Sequence, residues 1–248
     1  MTVADPFAHL AGLPGVAEAV DRARAAVDGL RGHRVLRRSA ERVASESALR
    51  GARASAALAG TDVPLEDLRR SLAAPVDPVL RGALRVGAET GTLRSAWAAS
   101  PLQVLARLHT LAAAGQVPDG DLGRPAPEAV ARLSGLAGLL TGATHAPALV
   151  VAAVVHAEVV PAFAVGGGLV GRAAARLTSI GRGLDPGGVS VPEVGHVELG
   201  ATAYADALAG YRDEGPGGLA RWVVHCAEAT VLGAREGVAV CEAIQRGA

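Results

Sequence analysis

The sequence predicts an all-α fold, a single-domain bundle of about nine or ten helices over residues 1–248. Apolar residues recur at helical spacing along most of the chain, and the alternation typical of strands is nearly absent. Half of the residues (50%) are hydrophobic, yet only 2% are aromatic. Ala, Val and Leu must therefore fill the interior, and small side chains suit closely packed helices. The 248 residues are enough for one large core.

Start and stop signals place the individual helices. Pro14 is tolerated in a first helical turn, and Gly60 is a good helix stop. Ser100 followed by Pro101 predicts another start, whereas the Gly-, Pro- and Asp-rich stretch 116–127 predicts a loop. A short helix is expected after Pro64. The remaining helices are predicted at about 14–30, 41–59, 77–97, 101–114, 127–141, 147–160, 169–182, 192–213 and 216–245.

The charge pattern restricts the functions that the chain can have. The formal net charge is zero, so net charge predicts no binding to nucleic acid or to an anionic membrane. All 24 basic residues are Arg, and the chain contains neither Lys nor Asn. Any mechanism that needs a Lys or Asn side chain is therefore excluded. The same bias indicates a bacterial gene of high GC content.

Several features predict a cytoplasmic protein. Residues 1–10 lack the basic start and apolar run of a signal peptide. The longest apolar run, residues 146–155, is too short to span a bilayer. Cys226 and Cys241 both fall in the last predicted helix, and we interpret them as buried thiols in a reducing compartment rather than as a disulfide.

The most informative segment is a glycine turn, Gly166, Gly167 and Gly168, between two predicted helices. Glycines before a helix N-terminus let backbone N–H groups converge on an anion. A tight turn between helices is the alternative interpretation, and the turn alone does not decide between them.

Three segments in order resemble the Fic (Fido) family of nucleotide-transfer proteins. The glycine turn followed by Val170-Gly171-Arg172 is similar to that family's motif, His-Pro-Phe-x-Asp/Glu-Gly-Asn-Gly-Arg-x-x-Arg. Upstream, Leu108-His109 and the loop Pro118–Arg124 resemble its Leu-His helix and Pro-Gly-x-Phe-Arg loop. Ser55, Ala59 and Gly60 resemble its inhibitory segment, Ser/Thr-x-x-x-Glu-Gly/Asn. The resemblance implies a Fic-like core over about residues 45–185, with C-terminal helices from 190–248 packed on it.

The residues that perform the family's chemistry are mostly replaced. Phe163, Gly166, Gly168 and Arg172 match the motif. Four positions differ: Pro161 stands for the proton-accepting His, Val165 for the acidic magnesium ligand, Gly167 for Asn and Leu169 for the first Arg. Proline accepts no proton and valine offers Mg²⁺ no oxygen. In the inhibitory segment Ala59 replaces Glu. We therefore predict a degenerate domain without catalytic residues, with His156 as the alternative base.

The leading hypothesis is a non-catalytic regulatory protein that binds a protein partner or an ATP-type nucleotide. The nucleotide would lie on Gly166, Gly167 and Gly168, with Arg172, Arg124 and Arg176 on its phosphates. No cofactor or metal is firmly expected, and a homodimer is compatible with the alanine-rich composition.

Two alternatives remain open. The first is a transferase that uses non-standard residues in the same pocket, namely His156, Glu158, Arg124 and Arg172. The second is a metal-binding helical bundle with one ligand each from His156 and His196, and His225 as the third. The pairs His156/Glu158 and His196/Glu198 cannot each face one metal, because residues two apart on a helix point in nearly opposite directions.

Overall fold

The computed structural model describes residues 5–71, 77–213 and 215–247. Within these ranges the chain forms thirteen α-helices and three short 3₁₀ segments, with no named strand. The helices are α1 Pro6–Ala11, α2 Val16–Arg31, α3 Leu36–Ala57, α4 Leu65–Ser71, α5 Pro78–Thr90, α6 Arg94–Ala99, α7 Pro101–Ala113, α8 Val130–Thr141, α9 Ala148–Val159, α10 Gly167–Gly181, α11 Pro192–Leu199, α12 Ala201–Asp213 and α13 Gly215–Gln245. The 3₁₀ segments are Asp119–Asp121, Pro127–Ala129 and Val160–Ala162.

The all-α prediction is confirmed, and the described residues contain three more helices than the ten predicted segments. The additional helix α1 begins at an N-cap, because the Asp5 carboxylate accepts hydrogen bonds from the backbone N–H of Phe7 and of Ala8. The predicted segment 77–97 divides into α5 and α6. The segment 192–213 divides at Gly200, whose φ of 100° is a left-handed conformation that a helix cannot contain.

Two predicted boundaries agree closely with the structure, whereas two predicted starts are wrong. Helix α2 begins at Val16, so Pro14 lies in the turn before it, and α3 begins at Leu36 rather than at about residue 41. Helix α7 begins at Pro101. At the end of α3 the chain turns at Gly60, which has a φ of 95°, and the N–H of Thr61 donates to the carbonyl oxygen of Ala56. This arrangement closes the helix and satisfies a carbonyl that would otherwise be unpaired.

Helix α9 is the centre of the core. Every residue in it is buried except Glu158. One set of its side chains, including Val151 and Val155, packs with residues from α5, α7, α8 and α10. Another set, including Val150 and Ala153, packs with residues from α2, α12 and α13. The apolar run that was too short for a bilayer is thus a core helix, and no helix in the described ranges has the length and hydropathy of a membrane span.

Helix α13 organises the C-terminal part of the chain. It packs against α2, α11, α12, α3 and α9. Its contact with α11 is unusually close: a Cβ on Gly195 would lie 2.0 Å from the carbonyl oxygen of Ala229, and one on Gly233 would lie 2.5 Å from the backbone nitrogen of Pro192. The two helices therefore touch backbone to backbone. This contact brings His196 on α11 beside α13.

Candidate functional site

The glycine turn joins the 3₁₀ segment at Val160–Ala162 to the start of α10. Gly166 is the N-cap and has a φ of 74°, which is a left-handed conformation. A Cβ on Gly167 would lie 2.2 Å from the carbonyl oxygen of Val160. The turn in this conformation therefore has no room for a side chain at position 167. The Asn that the Fic motif carries there does not fit without a backbone shift.

His109 connects the turn to the upstream loop. Its Nδ1 accepts a hydrogen bond from the N–H of Gly123 (2.9 Å), so Nε2 carries the ring proton and donates to the carbonyl oxygen of Val165 (3.2 Å). Its ring also stacks on Phe163, with centroids 4.3 Å apart. Burial lowers the pKa of His109, which keeps the ring neutral. The Leu-His helix, the loop and the turn thus meet at this imidazole, although they are distant in sequence.

Arg172 lies beside the turn and is buried. Its guanidinium nitrogens lie 3.2 and 3.3 Å from the position that a Cβ of Gly168 would take. The Nε group donates to the Oγ of Ser55 (2.6 Å), Nη2 donates to the Ser55 carbonyl oxygen (2.9 Å), and Nη1 donates to the hydroxyl of Tyr204 (3.2 Å). Only 4% of Arg172 is exposed. The end of α3 therefore covers this arginine.

No described carboxylate forms an ion pair with Arg172; its hydrogen-bond partners are all uncharged. The neighbouring Arg176 differs, since its Nη1 lies 3.0 Å from the Glu193 carboxylate. A buried guanidinium with only neutral partners loses its hydration without gaining a counter-charge. The positive charge of Arg172 is thus uncompensated.

The other residues predicted for this site lie in different places. Arg124 is exposed, and no contact joins it to Arg172 in the structure. Pro161 is half-buried in the 3₁₀ segment, and Ala59 lies in the turn that follows α3. Glu158 faces away from His156: its carboxylate pairs with Arg132 (3.0 Å) and accepts from Tyr211 (2.9 Å). The structure therefore does not gather His156, Glu158, Arg124 and Arg172 around one pocket.

A second group of polar side chains fills the centre of the molecule, and we call it the buried polar cluster. Its members are Ser55, His156, Arg172, His196, Tyr204, Trp222, His225 and Cys226, all of them buried. They come from α3, α9, α10, α11, α12 and α13. Six helices thus contribute to one polar centre.

Tyr204 holds two members of the cluster together. Because arginine can only donate, the Tyr204 oxygen accepts from Arg172, and its hydrogen is left to donate to Nε2 of His156, 2.9 Å away. His196 and His225 share a hydrogen bond of 3.1 Å between Nδ1 and Nε2. Trp222 lies 5.0 Å from His156 between ring centroids and donates from Nε1 to the carbonyl oxygen of Ala153 (2.8 Å).

The members of the cluster are in their neutral forms apart from Arg172. Burial is the main reason that the pKa of His156 lies well below its usual range, and the positive charge of Arg172 lowers it further. Burial likewise keeps the pKa of His196 well below its usual range, and it lowers the pKa of His225. Burial raises the pKa of Tyr204 and raises that of Cys226 well above its ordinary value. The cluster therefore offers neutral imidazoles and an un-ionised thiol.

A cavity of about 40 Å³ lies within the cluster, lined by His156, Arg172, Glu193, His196 and Cys226 together with apolar residues. A second cavity of about 30 Å³ lies on the other side of Arg172, against Ser55. Both are small compared with the several hundred Å³ of a nucleotide-sized pocket. Neither admits a nucleotide in this conformation.

Sequence reasoning identified part of this cluster. His156, His196, His225, Ser55 and Arg172 are among the predicted site residues, and Cys226 is predicted to be a buried thiol. Tyr204 was missed. It lies in a segment with weak periodicity, and its two partners are 48 and 32 positions away along the chain. No local signal in the sequence indicates such a contact.

Comparison with known proteins identifies the fold. No family model matches the chain, and no curated protein matches it. Among solved structures, a Fic family protein from Desulfovibrio desulfuricans is similar, with a TM-score of 0.73 and 21% identity over 91% of this chain and 74% of that one. The chain therefore has a Fic-like, all-α fold, as the sequence resemblance implied.

Proposed function

We propose that this chain is a non-catalytic binding protein built on a Fic-like fold. The glycine turn is the observation that carries the proposal. Position 167 has no room for a side chain, because the carbonyl oxygen of Val160 occupies it. Pro161, at the position of the family's proton acceptor, has no group that could take a proton. The segment that would perform the transfer thus lacks the proton acceptor and has no space for the Asn side chain of the motif.

The uncompensated charge of Arg172 supports an anionic ligand, and an ATP-type nucleotide is the candidate. Arg172 lies against Gly168 at the N-terminal end of α10, where backbone N–H groups and the helix dipole also favour a phosphate. In the present conformation Ser55 takes two of the donors of this arginine. Nucleotide binding therefore requires the end of α3 to release Arg172.

Thermal melting in the presence of ATP, with and without Mg²⁺, tests the nucleotide branch. A bound ligand raises the melting temperature, because ATP at 100 times its Kd contributes about 2.7 kcal/mol. Ser55→Ala should increase the shift, since it weakens the contact that competes for Arg172. Arg172→Gln should abolish it, whereas Arg24→Gln on the exposed face of α2 is the control and should leave it unchanged. No shift at millimolar ATP would exclude this branch.

A protein partner is the second candidate, and a groove between α3 and α5 favours it. The groove measures about 620 Å³ and is lined mostly by small residues, among them Ala44, Ala48 and Ala88. A groove of this kind suits an apolar helix of a partner. Capture from a bacterial lysate by the wild-type chain, lost with Ala88→Arg, would support it. Equal capture by both forms would exclude the groove.

The proposal that catalysis is absent has its own test. The chain is incubated with labelled ATP and cell extract, and the transfer of label to protein is measured. We expect no transfer. Label transferred by the wild type but not by His156→Ala would overturn the proposal and favour the non-standard transferase.

A further inference from the structure

We propose that His156, His196 and Cys226 form a binding site for one Zn²⁺ ion inside the buried polar cluster. The candidate ligand atoms of the three residues lie within 4.8 Å of one another. They come from α9, α11 and α13, so the site ties three helices together. The proposal is independent of nucleotide binding and of the groove between α3 and α5.

The distances suit a site that closes on its ion. Zinc binds imidazole nitrogen at about 2.0–2.1 Å and thiolate sulfur at about 2.3 Å, which puts tetrahedral ligand atoms about 3.4–3.6 Å apart. Ligand atoms that are 4.8 Å apart need to approach by about 1.2–1.4 Å, a movement that side-chain rotations can supply. The lining cavity of about 40 Å³ exceeds the roughly 10–15 Å³ that one water needs. An ion with a water in the fourth position fits this space.

The surroundings of the three residues resemble the outer shell of a metal site. Histidine ligands are commonly oriented by a hydrogen bond from the ring nitrogen that does not bind the metal. Here Nε2 of His156 accepts a hydrogen bond from Tyr204 (2.9 Å), and Nδ1 of His196 shares one with Nε2 of His225 (3.1 Å), which leaves the other ring nitrogen of each histidine for the metal. When the metal binds the other nitrogen of His156, the ring proton moves to the nitrogen that faces Tyr204. The Tyr204 oxygen has a second lone pair that accepts this N–H, and the hydroxyl hydrogen of Tyr204 then rotates away from His156.

The ligand types select a borderline metal rather than Mg²⁺ or Ca²⁺. Two imidazoles and a sulfur are ligands of Zn²⁺ and of related transition metals, whereas the hard cations require oxygen. On binding, Cys226 becomes a thiolate and its proton is released to solvent. The thiolate charge would offset the positive charge of Arg172, which lines the same cavity. Cys226 takes the place that the sequence analysis gave to His225, which here orients His196.

The experiment uses the full chain purified without a His-tag. Metal content is measured first, the protein is then stripped with a chelator, and Co²⁺ and Zn²⁺ are titrated back. We expect one equivalent of metal, and Co²⁺ should give the intense visible bands of a tetrahedral site together with a thiolate charge-transfer band in the near ultraviolet. Tyr204→Phe and His225→Gln should weaken Zn²⁺ binding by about 10- to 100-fold.

Cysteine variants locate the site. Cys226→Ser should remove the charge-transfer band, and Cys241→Ser, which changes the other buried cysteine of α13, should retain it. Circular dichroism verifies that each variant is folded. If Cys226→Ser does not fold, His196→Gln is used in its place to remove a metal ligand. Three results overturn the proposal: no stoichiometric metal after titration, a cobalt spectrum without a thiolate band, or a thiolate band that persists in Cys226→Ser. The last two would indicate metal bound elsewhere on the chain.

Discussion

The hydroxyl of Tyr204 should contribute far more to stability than that of Tyr211, although the two are the only tyrosines in the chain. Tyr204→Phe leaves Nη1 of Arg172 and Nε2 of His156 without their partner inside the core. An unsatisfied buried polar group costs about 1–3 kcal/mol, and Arg172 keeps both of its bonds to Ser55. We therefore expect Tyr204→Phe to lower the free energy of unfolding by about 2–4 kcal/mol.

Tyr211→Phe is the matched control. It removes one hydrogen bond to Glu158, whose carboxylate still pairs with Arg132 at the surface. The expected loss is about 0.5–1.5 kcal/mol. Both variants are unfolded in urea in the presence of a chelator, so that bound metal does not contribute, and midpoints and slopes are compared with the wild type. A loss for Tyr204→Phe no larger than that for Tyr211→Phe would refute the role assigned to the buried polar cluster.

Three further predictions concern other parts of the chain. Gly195→Ala should destabilise the protein by about 1–3 kcal/mol or more, because the added methyl group overlaps the carbonyl oxygen of Ala229. Urea unfolding measures the loss, and a midpoint equal to that of the wild type would contradict the close contact. Gly29→Ala, at an exposed position of α2 with open space around it, should instead stabilise by about 0.5–1 kcal/mol, and a loss would show that the site is not open. Burial lowers the pKa of His109, so below about pH 6.5 this histidine binds protons more readily in the unfolded chain than in the folded chain. The free energy of unfolding therefore falls when the pH is lowered through that range. His109→Gln should therefore show a smaller loss of unfolding free energy between about pH 7.5 and 5.5 than the wild type, and an equal loss would assign the dependence to other groups.

Helical periodicity predicted the fold because most helices here have one buried stripe and clear end signals. Pro101 is one example, because proline lacks the backbone N–H that a helix interior needs but its first turn does not. Gly60 is another, because glycine readily adopts the positive φ that ends a helix. The division at Gly200 was not predicted, because a glycine inside a helical pattern does not by itself reveal whether its φ is positive.

The candidate site was only partly predictable, and the reason is tertiary. The resemblance to the Fic motif indicated Arg172, the resemblance to the inhibitory segment indicated Ser55, and the structure places the two residues in contact across 117 positions. The motif also suggested that Arg172 is available to bind an anion, which is true only if α3 does not cover it. The position of α3 over Arg172 is determined by the packing of several helices, and no local sequence pattern at Ser55 predicts that position. The juxtaposition of His156, His196 and Cys226 likewise depends on how α11 lies on α13.

The backbone contact between α11 and α13 has a consequence for the chemistry of the polar centre. Side chains normally separate two helices, and their rotamers can adjust when one residue changes. Here Gly195 and Gly233 remove that layer, so the separation of the helices is a property of the main chain. The distance between the backbones of His196 and Cys226 is therefore set by the main chain, and only rotation of the two side chains can change the distance between their ligand atoms. A single methyl group added at either glycine would widen that spacing without altering any of the residues at the polar centre.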